Sequence, residues 1–183
     1  MHCRSLEEQK KRWFFRENEK ASGNPQDTMG AEELRLLDNA EFALELNCTS
    51  LYEEYLCQPL QAFLASYWQK NYLTHSYFAG RIPDRFYIGN QFCHNLFPIE
   101  EQLFSIMDKV YSEGSEITLV FSYIREFMLL SVGKLLEKVD NWCCIHGVNV
   151  EIVVNDWAMV EMLCGKTSRL HGYVGNSSKR QDY

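Results

Sequence analysis

Two strand-like runs in this chain break off at residues that can do chemistry. Glu151-Ile152-Val153-Val154 ends at Asn155-Asp156-Trp157, and Arg85-Phe86-Tyr87-Ile88-Gly89 ends at Asn90-Gln91-Phe92-Cys93, with His94 next. Each break coincides with the start of a helical pattern, which is how a βα unit reads, and in such folds ligands gather at the carboxyl ends of the strands. Asn90, Asn155 and Asp156 offer amide and carboxylate groups to a polar ligand, and Trp157 offers a stacking wall. Cys93 offers a thiolate, either to a metal or as a nucleophile that His94 activates. Each has a plainer role open to it: Asp156 as the N-cap of the next helix, Trp157 as a core residue, Cys93 as a cysteine packed beneath a helix.

The other chemistry-bearing residues exclude more than they suggest. Cys143 and Cys144 with His146 resemble a metal cluster in spacing, but neighbouring helical residues point about 100° apart. A C-x-x-C pair to complete a zinc site is also lacking, so core packing is the expectation. Cys48 and Cys57 would sit on opposite faces of one helix. Neither phosphate-binding glycine motif occurs around Gly89 or Gly175. A net charge of -7 without a basic stripe argues against a nucleic-acid surface. The first residues, Met1 to Lys20, lack the apolar stretch of a signal peptide, and no run of about 18 uncharged apolar residues occurs. The expectation is a cytoplasmic protein without membrane contact, whose seven cysteines are reduced thiols.

The elements that must position these residues follow from periodicity. Residues 1–30, rich in Glu, Lys, Arg, Asn and Gln, read as a mobile tail. Residues 31–82 read as a helical extension. Leu34, Leu37, Phe42 and Leu46 have loosely helical spacing, and Ser50 with Glu53 suggests a capping box that opens a second helix, kinked at Pro59. The aromatic stripe of Tyr52, Tyr55, Phe63, Tyr67 and Trp68 on that helix is expected to be core. Residues 83–183 alternate. Strands are expected at 85–89, 116–123, 148–154 and 169–174, with helices after Pro98, from Ile124 to Val139, and from Asp156 to Gly165. Four parallel βα units would place Asn90 to Cys93, Ser122 and Tyr123, Asn155 to Trp157 and Gly175 to Ser177 on one rim. A doubly wound flavodoxin-like sheet remains open at this point, because sequence does not reveal strand order.

The segments Phe86-Tyr-Ile-Gly-Asn-Gln-Phe-Cys93, Glu151-Ile-Val-Val-Asn-Asp-Trp157 and Leu170-His-Gly-Tyr-Val-Gly-Asn-Ser-Ser-Lys-Arg180 resemble the amino-terminal half of the collagenase-like peptidase family, which includes the ubiquinone-hydroxylation accessory proteins. The likeness runs from Pro83 onward. It implies an α/β fold in the form of a partial TIM-type barrel of about four parallel βα units behind the helical extension. It also implies that Cys93 stands where some members place a ligand of a four-iron four-sulfur cluster, the other ligands coming from the second half of the barrel. A split or truncated peptidase, or an iron-sulfur accessory protein, would then work with a second-half chain or by self-association. The alternative from a different class is a noncatalytic protein-binding or assembly module.

Overall fold

The computed structural model describes residues 40–164 and 169–174, and divides into two compact units. The larger unit takes in Glu41–Leu64 and the chain from Ile82 onward. Its elements run β1 (Ala43–Leu46), α1 (Thr49–Cys57), the start of α2 (Leu60–Lys70), β2 (Arg85–Gly89), α3 (Glu100–Ser112), β3 (Glu116–Val120), α4 (Leu129–His146), β4 (Val150–Val154), α5 (Trp157–Cys164) and β5 (Leu170–Val174). Short 3-10 turns at His94–Leu96 and Glu126–Met128 lead into α3 and α4. In the smaller unit, the part from Ala65 to Arg81 holds the rest of α2 and a series of turns. There the ring of Tyr67 meets Trp68 edge-on, and the Arg81 guanidinium lies over Phe78.

All four strand pairings are parallel, and the order is β1-β2-β3-β4-β5 without reversal. A doubly wound sheet needs a reversal to create its switch point, so these five strands correct that reading. Among the described residues the count is five rather than the expected four. The extra strand is β1, which lies inside the segment 31–82 expected to be a helical extension. Phe42 and Leu46 are four apart, as on a helix, but Ala43-Leu44-Glu45-Leu46 also alternates with period two. Pairing with β2 decides between them, burying Leu44 and Leu46 and leaving Ala43 and Glu45 outside. The α/β part thus begins some forty residues earlier than Pro83, and α1 belongs to it. Residues 31–39 of the expected first helix, and the tail 1–30, lie outside the described residues.

The expected capping box does not form. Cys48 is the N-cap of α1 without a side-chain cap bond, and Ser50 is already helical. Pro59, lacking an N–H, does more than kink the expected helix: it divides it into α1 and α2, with Gln58 extended between them. Helix α4 continues past the expected Val139 to His146, where Gly147 turns left-handed at φ 71° and ends it.

One sheet face is apolar throughout. The register aligns Leu46, Ile88, Leu119 and Ile152, with Leu44, Phe86, Ile117, Val150 and Leu170 on the same side. Helices supply the other half of this core through Tyr52 and Tyr55 of α1, Leu103, Ile106, Met107 and Val110 of α3, Leu136 and Val139 of α4, and Met159 of α5. Gly172 carries no side chain where Leu163 of α5 approaches; a Cβ there would stand 3.0 Å from Leu163 Cδ1. The two buried tyrosines bring polar tips that need partners. Tyr52 donates to Leu96 O at 2.8 Å, and Tyr55 to Glu113 at the end of α3. Lys109 sits over the Tyr55 ring and donates to the carbonyls of Tyr55 and Gln58 at the end of α1. A cation there complements the negative end of the helix.

The opposite face is polar where the strands begin. Arg85, 8% exposed, donates to Glu41 before β1, to Glu116 and Thr118 of β3, and pairs with Glu151 of β4. Thr118 in turn donates to Glu151 at 3.0 Å. Burial lowers the affinity of the guanidinium for its proton, but the Glu41 hydrogen bond and the charges of Glu151, Glu116 and Glu41 more than offset this. Arg85 therefore stays charged. Replacing Arg85 by Met should cost about 2–3 kcal/mol in urea unfolding, at or below the foot of the range for breaking a buried pair, because the Glu41 and Glu116 carboxylates reach water. A loss under about 0.5 kcal/mol, the size of an ordinary surface change, would refute the holding role.

Alkali should also unfold this core. Burial raises the ionisation of Tyr52 and Tyr55 far above the ordinary phenol, with Cys48 and Glu45 adding for Tyr52 and Glu113 for Tyr55. Burial, then Asp140 and Cys144, pushes the Cys143 thiol up to about 12. Each folded group holds its proton more tightly than the unfolded chain, where the thiol titrates near 9.0 and the phenols near 10.0. Their contribution is complete below the thiol value and is lost as pH climbs through the folded values. The urea midpoint should fall steadily from pH 9 upward, with Tyr52 and Tyr55 ionising only as the chain unfolds. Normal phenol titration of both in the folded protein would contradict it.

Candidate functional site

Because every strand runs the same way, the residues that follow them collect on one rim. Asn47 follows β1, Asn90 β2, Phe121 and Ser122 β3, and Asn155 β4. The sequence-predicted site residues Asn90, Cys93, Asn155, Asp156 and Trp157 all lie in these connections or at the first helical position beyond them. Gly175 to Ser177, also expected on the rim, lie outside the described residues.

Two of these amides stitch the strand ends together. Asn90 Nδ2 donates to Asn47 O at 3.1 Å, and Asn155 Nδ2 donates to Phe121 O at 2.8 Å. In each case the asparagine after one strand takes up a carbonyl at the end of the preceding strand, beyond the reach of the backbone ladder. Asn90 Oδ1 also accepts the N–H groups of Phe92 and Cys93, at 2.9 and 3.0 Å, and so turns the chain sharply away from the sheet. An amide nitrogen has two hydrogens, and these bonds use one from each.

Gly89, immediately before Asn90, has φ +119°, and an added Cβ would stand 2.2 Å from Val120 O and 2.9 Å from the Phe97 ring. Only glycine fits this close approach. Phe97 stacks on Phe121 with centroids 4.6 Å apart, which closes the rim between β2 and β3.

Asp156 does the capping that sequence allowed for it and more. Its Oδ1 accepts the N–H of Met159 at 2.8 Å, inside the first turn of α5, while Oδ2 accepts the N–H of Ile124 at 2.9 Å. The carboxylate thus ties the β3–α4 connection to the start of α5 and lies at the positive end of that helix. Trp157 is not core: it stands 81% exposed. Its position at the very start of α5 turns the indole outward, a placement that helical periodicity over so short an element does not fix.

Cys93 is half-buried and N-caps the 3-10 turn His94–Leu96. Among the described residues no group of three or more His, Cys, Asp and Glu side chains is placed to hold a metal. Thiolate-ligated iron-sulfur clusters take about four such ligands. The described residues of one chain do not fit such a cluster. Cys143 is fully buried, Cys144 is exposed, and His146 Nδ1 lies 2.9 Å from Trp142 O with its ring stacked on Trp142. Cys143 packs in the core as its spacing led one to expect, whereas Cys144 faces solvent.

Sequence reasoning missed a second polar locus at the other end of the sheet. A cavity of about 530 Å³ opens beside Arg85, Glu116, Glu151 and His171, with Tyr111 and Asn149 on its wall. The signal for it was a charged residue at the head of each of β2 and β3, Arg85 and Glu116, placed side by side by the register. Read singly, each looks like an ordinary solvated strand start.

Comparison with known families, curated proteins and solved structures finds no match.

Among the described residues no helix is long and apolar enough to cross a membrane. Asp156→Ala should cost about 1–2 kcal/mol of stability in urea unfolding, since it removes a helix cap and leaves the Ile124 N–H without its acceptor. Trp157→Ala should change stability by less than about 0.5 kcal/mol, as for other exposed positions. The reverse ranking would mean that the carboxylate is not the tether.

Proposed function

We propose that this protein is an assembly module: a partial barrel of the collagenase-like peptidase type that acts together with a second barrel half, supplied by a companion chain or by a second copy. The observation that carries this reading is the strand order. Five parallel strands laid down in sequence, each beside the one before, are how a βα barrel grows, and a barrel of this type takes eight. The edge of such a sheet carries unpaired backbone groups, which favours a partner strand or another cover. In this reading the rim bearing Asn90, Asn155, Asp156 and Trp157 is the ligand face of the completed barrel, and Cys93 is one ligand of an iron-sulfur cluster whose others come from the second half.

Within this chain the rim side chains favour binding over catalysis. Asn90, Asn155 and Asp156 are engaged in holding the connections in place, and both oxygens of the Asp156 carboxylate already accept backbone N–H bonds. The module therefore contributes a frame and a binding surface, and any reaction of the assembly draws its reactive groups from elsewhere.

Light scattering on the purified full chain during size-exclusion chromatography tests the reading. The expected mass is at least twice the 21.5 kDa of one chain, or that of a complex with a companion half. A soluble species that keeps the mass of a single chain as concentration rises would rule out sheet completion by self-association. If such a monomer also ignored a co-expressed second half of a peptidase barrel, the reading would fall.

A further inference from the structure

Ser122 is the rim residue whose side chain the frame does not use. It is 6% exposed, yet among the described residues its hydroxyl has no hydrogen-bond partner. Nor is that hydroxyl sealed away from solvent. A protein hydrogen bond contributes about 1 kcal/mol, and withdrawn polar groups that forgo one call for an explanation. Strand alternation places Ser122 with Thr118 and Val120, on the face away from the helices. A hydroxyl so placed is ready for a partner that arrives from outside.

Its neighbours define the chemistry. The register pairs Val120 with Val153, so continuing it brings Ser122 opposite Asn155. The Asn155 amide donates to Phe121 O at 2.8 Å, and that carbonyl belongs to the peptide bond leading into Ser122. Past β2, on the other side, stands Asn90. Adjacent strands lie roughly 4.8 Å apart, so the three form a row across the rim. Asn90 and Asn155 each keep one amide hydrogen, Asn155 also keeps Oδ1, and Ser122 can donate and accept. The row carries no charge. Beside it Asp156 spends both oxygens on backbone N–H groups, and Arg125 and Glu126 offset one another in formal charge. Tyr123 and Trp157, both exposed, stand in the same two connections as Ser122 and Asn155.

From this we infer that the carboxyl rim binds a neutral saccharide, hydrogen-bonded to Asn90, Ser122 and Asn155 and packed against the rings of Tyr123 and Trp157. A sugar hydroxyl donates and accepts at once, which matches an amide or a hydroxyl and requires no opposing charge. The C–H faces of a pyranose ring suit an exposed aromatic that offers apolar area with a polar tip. A few convergent polar groups beside aromatic surface are the usual make-up of a small-molecule site. This inference rests on the reading of the rim as the ligand face and gives that ligand a chemical class; it does not need the second barrel half.

Titrating the full chain with cellotriose, maltotriose and chitotriose, followed by tryptophan emission and saturation-transfer NMR, tests it. At least one trisaccharide should bind, move the emission of Trp157 to the blue, and be indifferent to salt, because neither partner contributes a charge. Ser122→Ala removes no bond of the fold and should weaken that binding by about three- to tenfold, the worth of one neutral hydrogen bond. Trp157→Ala should weaken it by a similar factor and abolish the emission shift. Ile145→Ser, at the far end of α4, should leave it unchanged. No binding of any of the three sugars, binding that Ser122→Ala leaves intact, or binding that fades as salt rises would overturn the inference. Tighter binding of a capped trialanine peptide would make the row a peptide site and overturn it too. Light scattering on the same samples reads the assembly mass separately. A monomer that binds sugar would uphold this inference without the assembly reading, and an assembly that binds none of the probes would do the reverse.

Discussion

Arg85 is the constraint around which the sheet is organised. One guanidinium, nearly withdrawn from water, answers carboxylates that precede β1 or belong to β3 and β4, and through Thr118 it fixes their mutual spacing. A planar fork with five donors can do this, whereas a lysine ammonium could not span three acids at once. The result is a cross-link over four consecutive strands at the end where they begin. The acids would repel one another without it, so the sheet's register at this edge and the charge of Arg85 depend on each other.

The opposite edge is held by different means. There, amides and one carboxylate take up backbone groups that the parallel ladder leaves over: Asn90 with Asn47, Asn155 with Phe121, and Asp156 with Ile124 and Met159. Ion pairs tie the sheet at one end, and neutral or helix-end hydrogen bonds tie it at the other.

Much of this architecture was legible in the sequence. The strands at Arg85 and Val150, the helices after Pro98 and Asp156, and the parallel arrangement follow from period-two and period-3.6 patterns that agree with their neighbours. Strand β1 was misread because four residues with apolar positions at Leu44 and Leu46 satisfy either period, and only pairing with β2 breaks the tie. The cap at Ser50 failed for a related reason: a motif states that a bond is available, and the chain began its helix earlier, from Cys48. On the rim, types and positions were legible while roles were not. The sequence leaves Asp156 open as cap or ligand, and the second oxygen's bond to Ile124 depends on a loop 32 residues away in sequence. The Arg85 network was invisible because ion pairing across strands is a property of register.

The sequential strand order also bears on how the chain acquires its structure. Each strand's neighbour is the one made just before it, so no strand has to wait for a distant segment before pairing. Loop closure therefore spans one connection at a time, the longest being the two-helix stretch between β1 and β2, which keeps contacts comparatively local for a parallel sheet. During synthesis the sheet can grow from β1 outward as each repeat leaves the ribosome, its newest strand always at the margin. A chain interrupted between repeats would end on an edge strand with the earlier repeats already docked, so partial products of this architecture are shorter sheets of the same kind.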